Sequence, residues 1–257
     1  MVKSDWPSFI SSMEYSSYFK NEIKIPDKWE LLESRYNKFK NRERQEQKIP
    51  KIIHQIWLGK DMPNAEKQRC ENIKNNISPD WEYKLWRDSD VDNLGNFHNK
   101  HLYDTATNLG QKSDILRLFL LLEYGGIYCD TDFVFLGSFD ELLDLDFFCG
   151  VAYDSEPNIL NSIIGSSLGN NIIKKLQMFD KPLASKDAMD VIDTTGPYFL
   201  TRRIFECFKE EHNMVVLPNS FFYPYPNFTI NKTLGDDWRN YIKPETICCH
   251  LWACSWM

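Results

Sequence analysis

Hydrophobic positions in this chain gather into short runs parted by polar stretches, and the period within each run sets the element it predicts. Residues 51–59, Lys-Ile-Ile-His-Gln-Ile-Trp-Leu-Gly, are largely apolar and close on glycine, which predicts a buried first strand. Residues 81–86, Trp-Glu-Tyr-Lys-Leu-Trp, alternate and predict a second. The clearest helix covers 111–124, with Ser113 near its start, Asp114 in the first turn and an almost wholly apolar remainder. The same reading gives helices over 28–47, 63–77, 97–109, 170–179 and 198–211, and a short one over 138–144 that Ser138 caps. Further strands are predicted at 127–129, 133–135, 147–152 and 215–217, with 158–165 extended and the last apolar stretch running through His250. Residues 88–92 read as a solvated turn and 223–227 as a rigid aromatic loop. Strands that alternate with helices in this way predict an α/β fold.

Composition narrows the picture. A chain of 257 residues fits one large domain, or one domain with an appendage. The first 48 residues are polar with scattered aromatics and read as a helical N-terminal extension; residues 49–257 carry the domain. A net charge of −7 argues against general nucleic-acid binding. One local exception is 34–51, where seven Lys or Arg face two Glu; this helix either packs on the domain or offers a basic face to an anionic membrane or lipid-linked acceptor. Seven cysteines, odd in number and without a CxxC pair, read as reduced buried thiols of a cytosolic protein. The first ten residues lack the apolar core of a signal peptide, and no apolar stretch reaches the roughly 18 residues of a membrane span. Sequons begin at Asn227 and Asn231 and are expected to stay unmodified in that compartment.

The chemistry concentrates at 124–132, Tyr-Gly-Gly-Ile-Tyr-Cys-Asp-Thr-Asp. Asp-x-Asp alone says little, since the chain also has it at 88/90, 90/92 and 144/146. Only Asp130 and Asp132 follow a helix, a double-glycine break and an apolar strand. Side chains two positions apart on a strand share a face. Two carboxylates at a strand's end therefore converge on one point and suit Mg²⁺ or Mn²⁺ carrying a substrate diphosphate. That end of an open α/β sheet is where ligands bind. Asp114 and Arg117 share a face of the buried helix and need partners, which a sugar or a diphosphate would supply. Asn161 among apolar neighbours needs partners too. Trp57, at the carboxyl end of the first strand, packs in the core or stacks on a base, and 194–197, Thr-Thr-Gly-Pro, opens a helix that could receive an anion or sugar hydroxyls. His250 alone on an apolar strand reads first as a satisfied core residue.

Taken together, the stretches 49–59, 113–117 (Ser-Asp-Ile-Leu-Arg), 124–132 and 195–197, followed by His250 and by Ser255-Trp256, resemble glycosyltransferase family 32, and more distantly the glucosyltransferase domains of large clostridial toxins. That resemblance implies a GT-A type, Rossmann-like single domain with a mixed central sheet. It implies a retaining hexosyltransferase that uses a nucleotide sugar (a UDP-sugar ahead of GDP-mannose) and Mn²⁺ or Mg²⁺ in surface polysaccharide or glycan synthesis. The acceptor would be a saccharide or lipid-linked saccharide, and the protein cytoplasmic or peripheral at the membrane's inner face. Carried onto this chain, Trp57 would stack on the base, and Asp114 and Arg117 would hold the donor sugar with Asn161 nearby. Asp130 would contact ribose and sugar, while Asp132 and His250 would bind the metal. Ser113 and Tyr128 join the donor-binding set, and Ser255 and Trp256 would touch the diphosphate, with 253–257 closing as a lid. At 167–170 the chain reads Ser-Leu-Gly-Asn, where many members have Gly-His-Pro. Front-face attack by the acceptor hydroxyl is expected over double displacement. The rival readings are a metal-dependent nucleotidyl or phosphoryl transferase and a non-catalytic carbohydrate-binding protein.

Overall fold

The computed structural model describes residues 6–13, 27–153, 157–179, 187–208, 213–227 and 237–253. Its main sheet uses β1 (Ile52–Ile56), β2 (Glu82–Trp86), β3 (Gly126–Cys129), β5 (Phe147–Tyr153), β6 (Pro157–Ser166) and β7 (Met214–Leu217), while β4 (Phe133–Phe135) and β8 (Cys248–His250) form a separate antiparallel ribbon. The sheet order is β2-β1-β3-β6-β5-β7. The pairs β1–β2, β1–β3 and β5–β7 are parallel, and β3–β6 and β5–β6 antiparallel, so the sheet is mixed as expected. The helices are α1 (Phe9–Met13), α2 (Asp27–Lys40), α3 (Asn64–Asn76), α4 (Asp88–Val91), α5 (Lys100–Thr105), α6 (Leu109–Tyr124), α7 (Asn171–Leu176), α8 (Ala188–Thr194), α9 (Pro197–Cys207) and α10 (Asn219–Phe222).

The strand assignments hold to within a few residues; helix ends depart further, for local reasons. The helix expected over 28–47 stops at Lys40, because 41–47 has no apolar face to bury. Instead the chain runs on extended, and the amides of Lys48 and Ile49 both donate to the Leu143 carbonyl. Helix 97–109 shrinks to α5, since Asn108 is needed as the cap of α6: its side chain accepts from Gly110 N at 2.7 Å and Gln111 N at 3.3 Å. Ser113 is therefore not a cap and sits inside the helix. The expected solvated turn at 88–92 is the short α4, in which Asp88 accepts the Gly59 amide at 2.8 Å and Asp90 accepts that of Arg87 at 2.7 Å. The helix α8 was not anticipated.

Residues of the first 40 share one apolar core with the sheet: Phe9, Met13, Trp29, Leu32, Tyr36 and Phe39 are buried in it, and the Trp6 ring lies 5.0 Å from that of Phe221. The basic stretch is fastened to the domain from within. Arg42 pairs with the buried Asp144 through both carboxylate oxygens, Lys48 lies 3.1 Å from Asp146, and Lys51 pairs with Asp80. Arg35 and Arg44 donate to the carbonyls of Phe208 and Asp140. These bonds tie five of the seven basic residues of 34–51 to the domain. Among the described residues no helix is long and apolar enough to cross a membrane, and the six described cysteines are free and buried.

Candidate active site

The site begins at the reversal from α6 into β3. Gly125 ends α6 with φ 63°, its amide bonding to Leu121 O, and Gly126 follows with φ 92°. A Cβ on Gly126 would lie 2.7 Å from the Ile52 carbonyl, so only glycine lets β3 drop beside β1 here. The fully buried His54 ties the turn to its neighbours, its Nε2–H donating to Gly125 O at 2.9 Å while Nδ1 accepts from the Trp86 indole at 3.1 Å. Loss of water holds the His54 pKa down at about 4, against the opposing pull of the Gly125 carbonyl, and so keeps the ring neutral.

Doubling back brings the end of β3 level with the first turns of α6. Arg117 lies 2.9 Å from Asp114 and 3.6 Å from Asp130. Its guanidinium also donates to Asn161 O at 2.6 Å, Ser113 Oγ at 3.2 Å and Ser113 O at 3.3 Å. Asp114 accepts from Asn161 Nδ2 at 2.8 Å and from Thr195 Oγ1 at 2.7 Å. Burial lifts the Asp114 pKa to about 7, while Arg117 and the Thr195 and Asn161 bonds draw it back. The partners that this buried pair needs are supplied here by protein groups. Thr195 spends its hydroxyl on Asp114, and Gly196 takes the cap position of α9 ahead of Pro197.

Tyr128 is buried behind Asp130, to which its hydroxyl donates at 2.5 Å, and Ser113 Oγ stands 3.3 Å from the same hydroxyl. Both side chains thus orient Asp130 from inside. Trp57, half-buried, follows β1; because β1 and β3 run parallel with His54 opposite Tyr128, it lies at the same sheet edge as Asp130. Its indole N–H donates to Lys60 O at 2.8 Å.

The ribbon supplies the imidazole. Pairing of Phe133 with His250 sets His250 Nε2 3.0 Å from Asp132 Oδ1. Asp132 Oδ2 accepts the Ala253 amide at 2.7 Å and its carbonyl accepts that of Leu251 at 3.0 Å. Burial works against charge on both partners, yet each favours the other's ionised form: Asp132 is held below the usual carboxylate range and His250 above the usual imidazole range. Ligand atoms of Asp130, Asp132 and His250 all lie within 4.8 Å of one another. Among the described residues, His250 Nδ1 is buried without a hydrogen-bond partner, and Asp132 Oδ1 is met only by His250 Nε2. Two carboxylates and an imidazole with unused capacity fit a divalent cation such as Mn²⁺. His250, read first as a satisfied core histidine, is part of this cluster. Ser255, Trp256, the suggested lid beyond Ala253 and the sequon stretch 228–233 lie outside the described residues.

Sequence reasoning missed Gln55, whose side chain reaches the Asp130 carbonyl, and Arg69, whose Nε lies 3.4 Å from the Thr131 carbonyl. For Gln55 a signal existed: a polar side chain inside an apolar strand must find a partner.

The family model described as glycosyltransferase sugar-binding region containing DXD motif matches residues 63–148. The mimivirus protein "Uncharacterized glycosyltransferase L373" is 29% identical over 189 residues, covering 68% of this chain and 73% of that one. "Mannosyl phosphorylinositol ceramide synthase CSH1" of Saccharomyces cerevisiae is 30% identical over 165 residues, covering 60% of this chain and 42% of its own length, so the chain spans less than half of that relative. The catalytic domain of alpha-toxin from Clostridium novyi superposes with a TM-score of 0.52 at 10% identity, over 85% of this chain and 81% of the toxin domain, a likeness of fold.

Proposed function

We propose that this chain, a relative of the DXD glycosyltransferases built on their GT-A fold, moves a hexose from a nucleotide sugar to a saccharide or lipid-linked acceptor, with retention at the anomeric carbon. The observation that carries the reading is the convergence of Asp130, Asp132 and His250, with ligand atoms within 4.8 Å of one another, at the edge where Trp57 also lies. Asp132 and His250 would hold a divalent cation, which would supply positive charge against the leaving diphosphate.

The chain's own groups do the rest. Trp57 offers a face to the base. Arg117 balances the negative charge of Asp114 and Asp130 and fixes both carboxylates. Asp114 is buried and takes bonds from Arg117, Asn161 and Thr195, so it is poorly placed as a nucleophile. That supports front-face attack, in which the acceptor hydroxyl bonds to the anomeric carbon as the sugar–phosphate bond breaks and its proton passes to the leaving phosphate.

The yeast relative is named as a mannosyl phosphorylinositol ceramide synthase, which supports a mannosyl donor, GDP-mannose as well as a UDP-sugar, and a lipid-borne acceptor. The test is a donor screen with Mn²⁺ that detects released nucleotide. One donor should be cleaved, and chelation or Asp132→Asn should nearly abolish cleavage. A screen in which no nucleotide sugar is bound or cleaved overturns the reading.

A further inference from the structure

The parallel ladder between β1 and β3 ends at His54 opposite Tyr128, two residues short of Asp130. Gln55 follows, wholly buried, and its side chain continues the ladder where backbone pairing stops. Its Nε2 donates to the Asp130 carbonyl at 3.0 Å and lies 3.6 Å from Cys129 Sγ. Its Oε1 accepts from the Tyr83 hydroxyl at 2.7 Å. On the opposite side, the Asp130 amide donates to Ser162 O at 2.9 Å. The peptide groups flanking Asp130 are thus gripped from β6 through the N–H and from β1 through the C=O.

We propose that Gln55, oriented by Tyr83, is the positioning residue that sets the peptide between Asp130 and Thr131, and thereby the spacing of the Asp130 and Asp132 carboxylates. A carbonyl can only accept, so Gln55 must present its NH₂ end to Asp130. Tyr83, donating to the other end of the amide, disfavours the flipped orientation that would set oxygen against oxygen. The consequence for cation binding rests on the reading given above; the consequence for the backbone does not.

Gln55→Met keeps length and volume while removing both N–H groups. Metal-free hydrogen exchange by mass spectrometry reads the backbone. Exchange in a peptide covering 127–133 should rise roughly tenfold, the loss of one buried hydrogen bond, while peptides in β5 and β7 stay as in wild type. Mn²⁺ alone, followed by loss of the free-ion paramagnetic resonance signal, reads the site, and affinity should fall by about tenfold or more. Tyr83→Phe should shift both in the same direction by less.

A role in packing alone predicts wild-type exchange in Gln55→Met, and that result overturns the proposal. Should Gln55→Met fail to fold, Tyr83→Phe decides: unchanged exchange at 127–133 overturns, and raised exchange supports. A wild type that takes up no Mn²⁺ counts against the metal reading, and exchange then judges the positioning role by itself.

Discussion

Trp57 separates two roles that one residue can play. Its backbone and indole N–H groups are engaged, and the side chain is partly exposed, which leaves base stacking and packing both open to test. Trp57→Ala should weaken UDP or GDP binding by about 1–3 kcal/mol, the range for a base stacked on an aromatic ring, with a smaller change in melting temperature. Calorimetry beside a thermal melt checks this; lost stability with unchanged affinity would make Trp57 a packing residue. His54 gives a prediction in pH. Its folded pKa of about 4 lies below the ordinary 6.5, so between those values the unfolded chain binds a proton that the folded chain refuses. The stabilisation is complete above pH 6.5 and is lost as pH falls toward 4, by at most about 1.4 kcal/mol per pH unit. Denaturant melts at pH 7 and pH 4.5 should therefore differ more in wild type than in His54→Gln.

Among the elements, α6, its glycine turn and β3 form the unit on which the site depends. Gly126→Ala would force a side chain to φ 92° against the Ile52 carbonyl, costing about 1–3 kcal/mol for the backbone conformation before any clash is counted. Chemical denaturation should show the loss, and nucleotide binding should weaken with it. This unit was legible in the sequence. A helix rising about 1.5 Å per residue and a strand rising about 3.3 Å make the eight steps from Arg117 to Gly125 match the next four or five, so Asp130 must return to the level of Arg117. What fills the space around Arg117 was not legible: Asn161 and Thr195 arrive from β6 and the start of α9, and no local pattern announces that they meet Asp114. Helix ends such as Lys40 were misread for a related reason, because tertiary contacts at 41–49 set them and helical propensity does not.

At the scale of the molecule, the basic segment works as a fastening. Asp144 is buried, and Arg42 is the cation that answers it. Arg42→Met should leave an uncompensated buried carboxylate, worth up to about 3–5 kcal/mol for a fully buried pair and less here because Arg42 is partly exposed. The expected result is a lowered melting temperature with donor affinity intact in the protein that remains folded; an unchanged melt would mean that Asp144 finds other partners. The ribbon of β4 and β8 has a different implication, for the order of assembly. The two aspartates are made early and the imidazole late, so a growing chain that has reached residue 245 already carries two of the three groups and cannot finish the cluster. Closing so long a loop is slow compared with forming α6 or its turn. The cluster therefore comes together only after synthesis has passed β8, and cation capture becomes a report that the polypeptide has been made through to that strand.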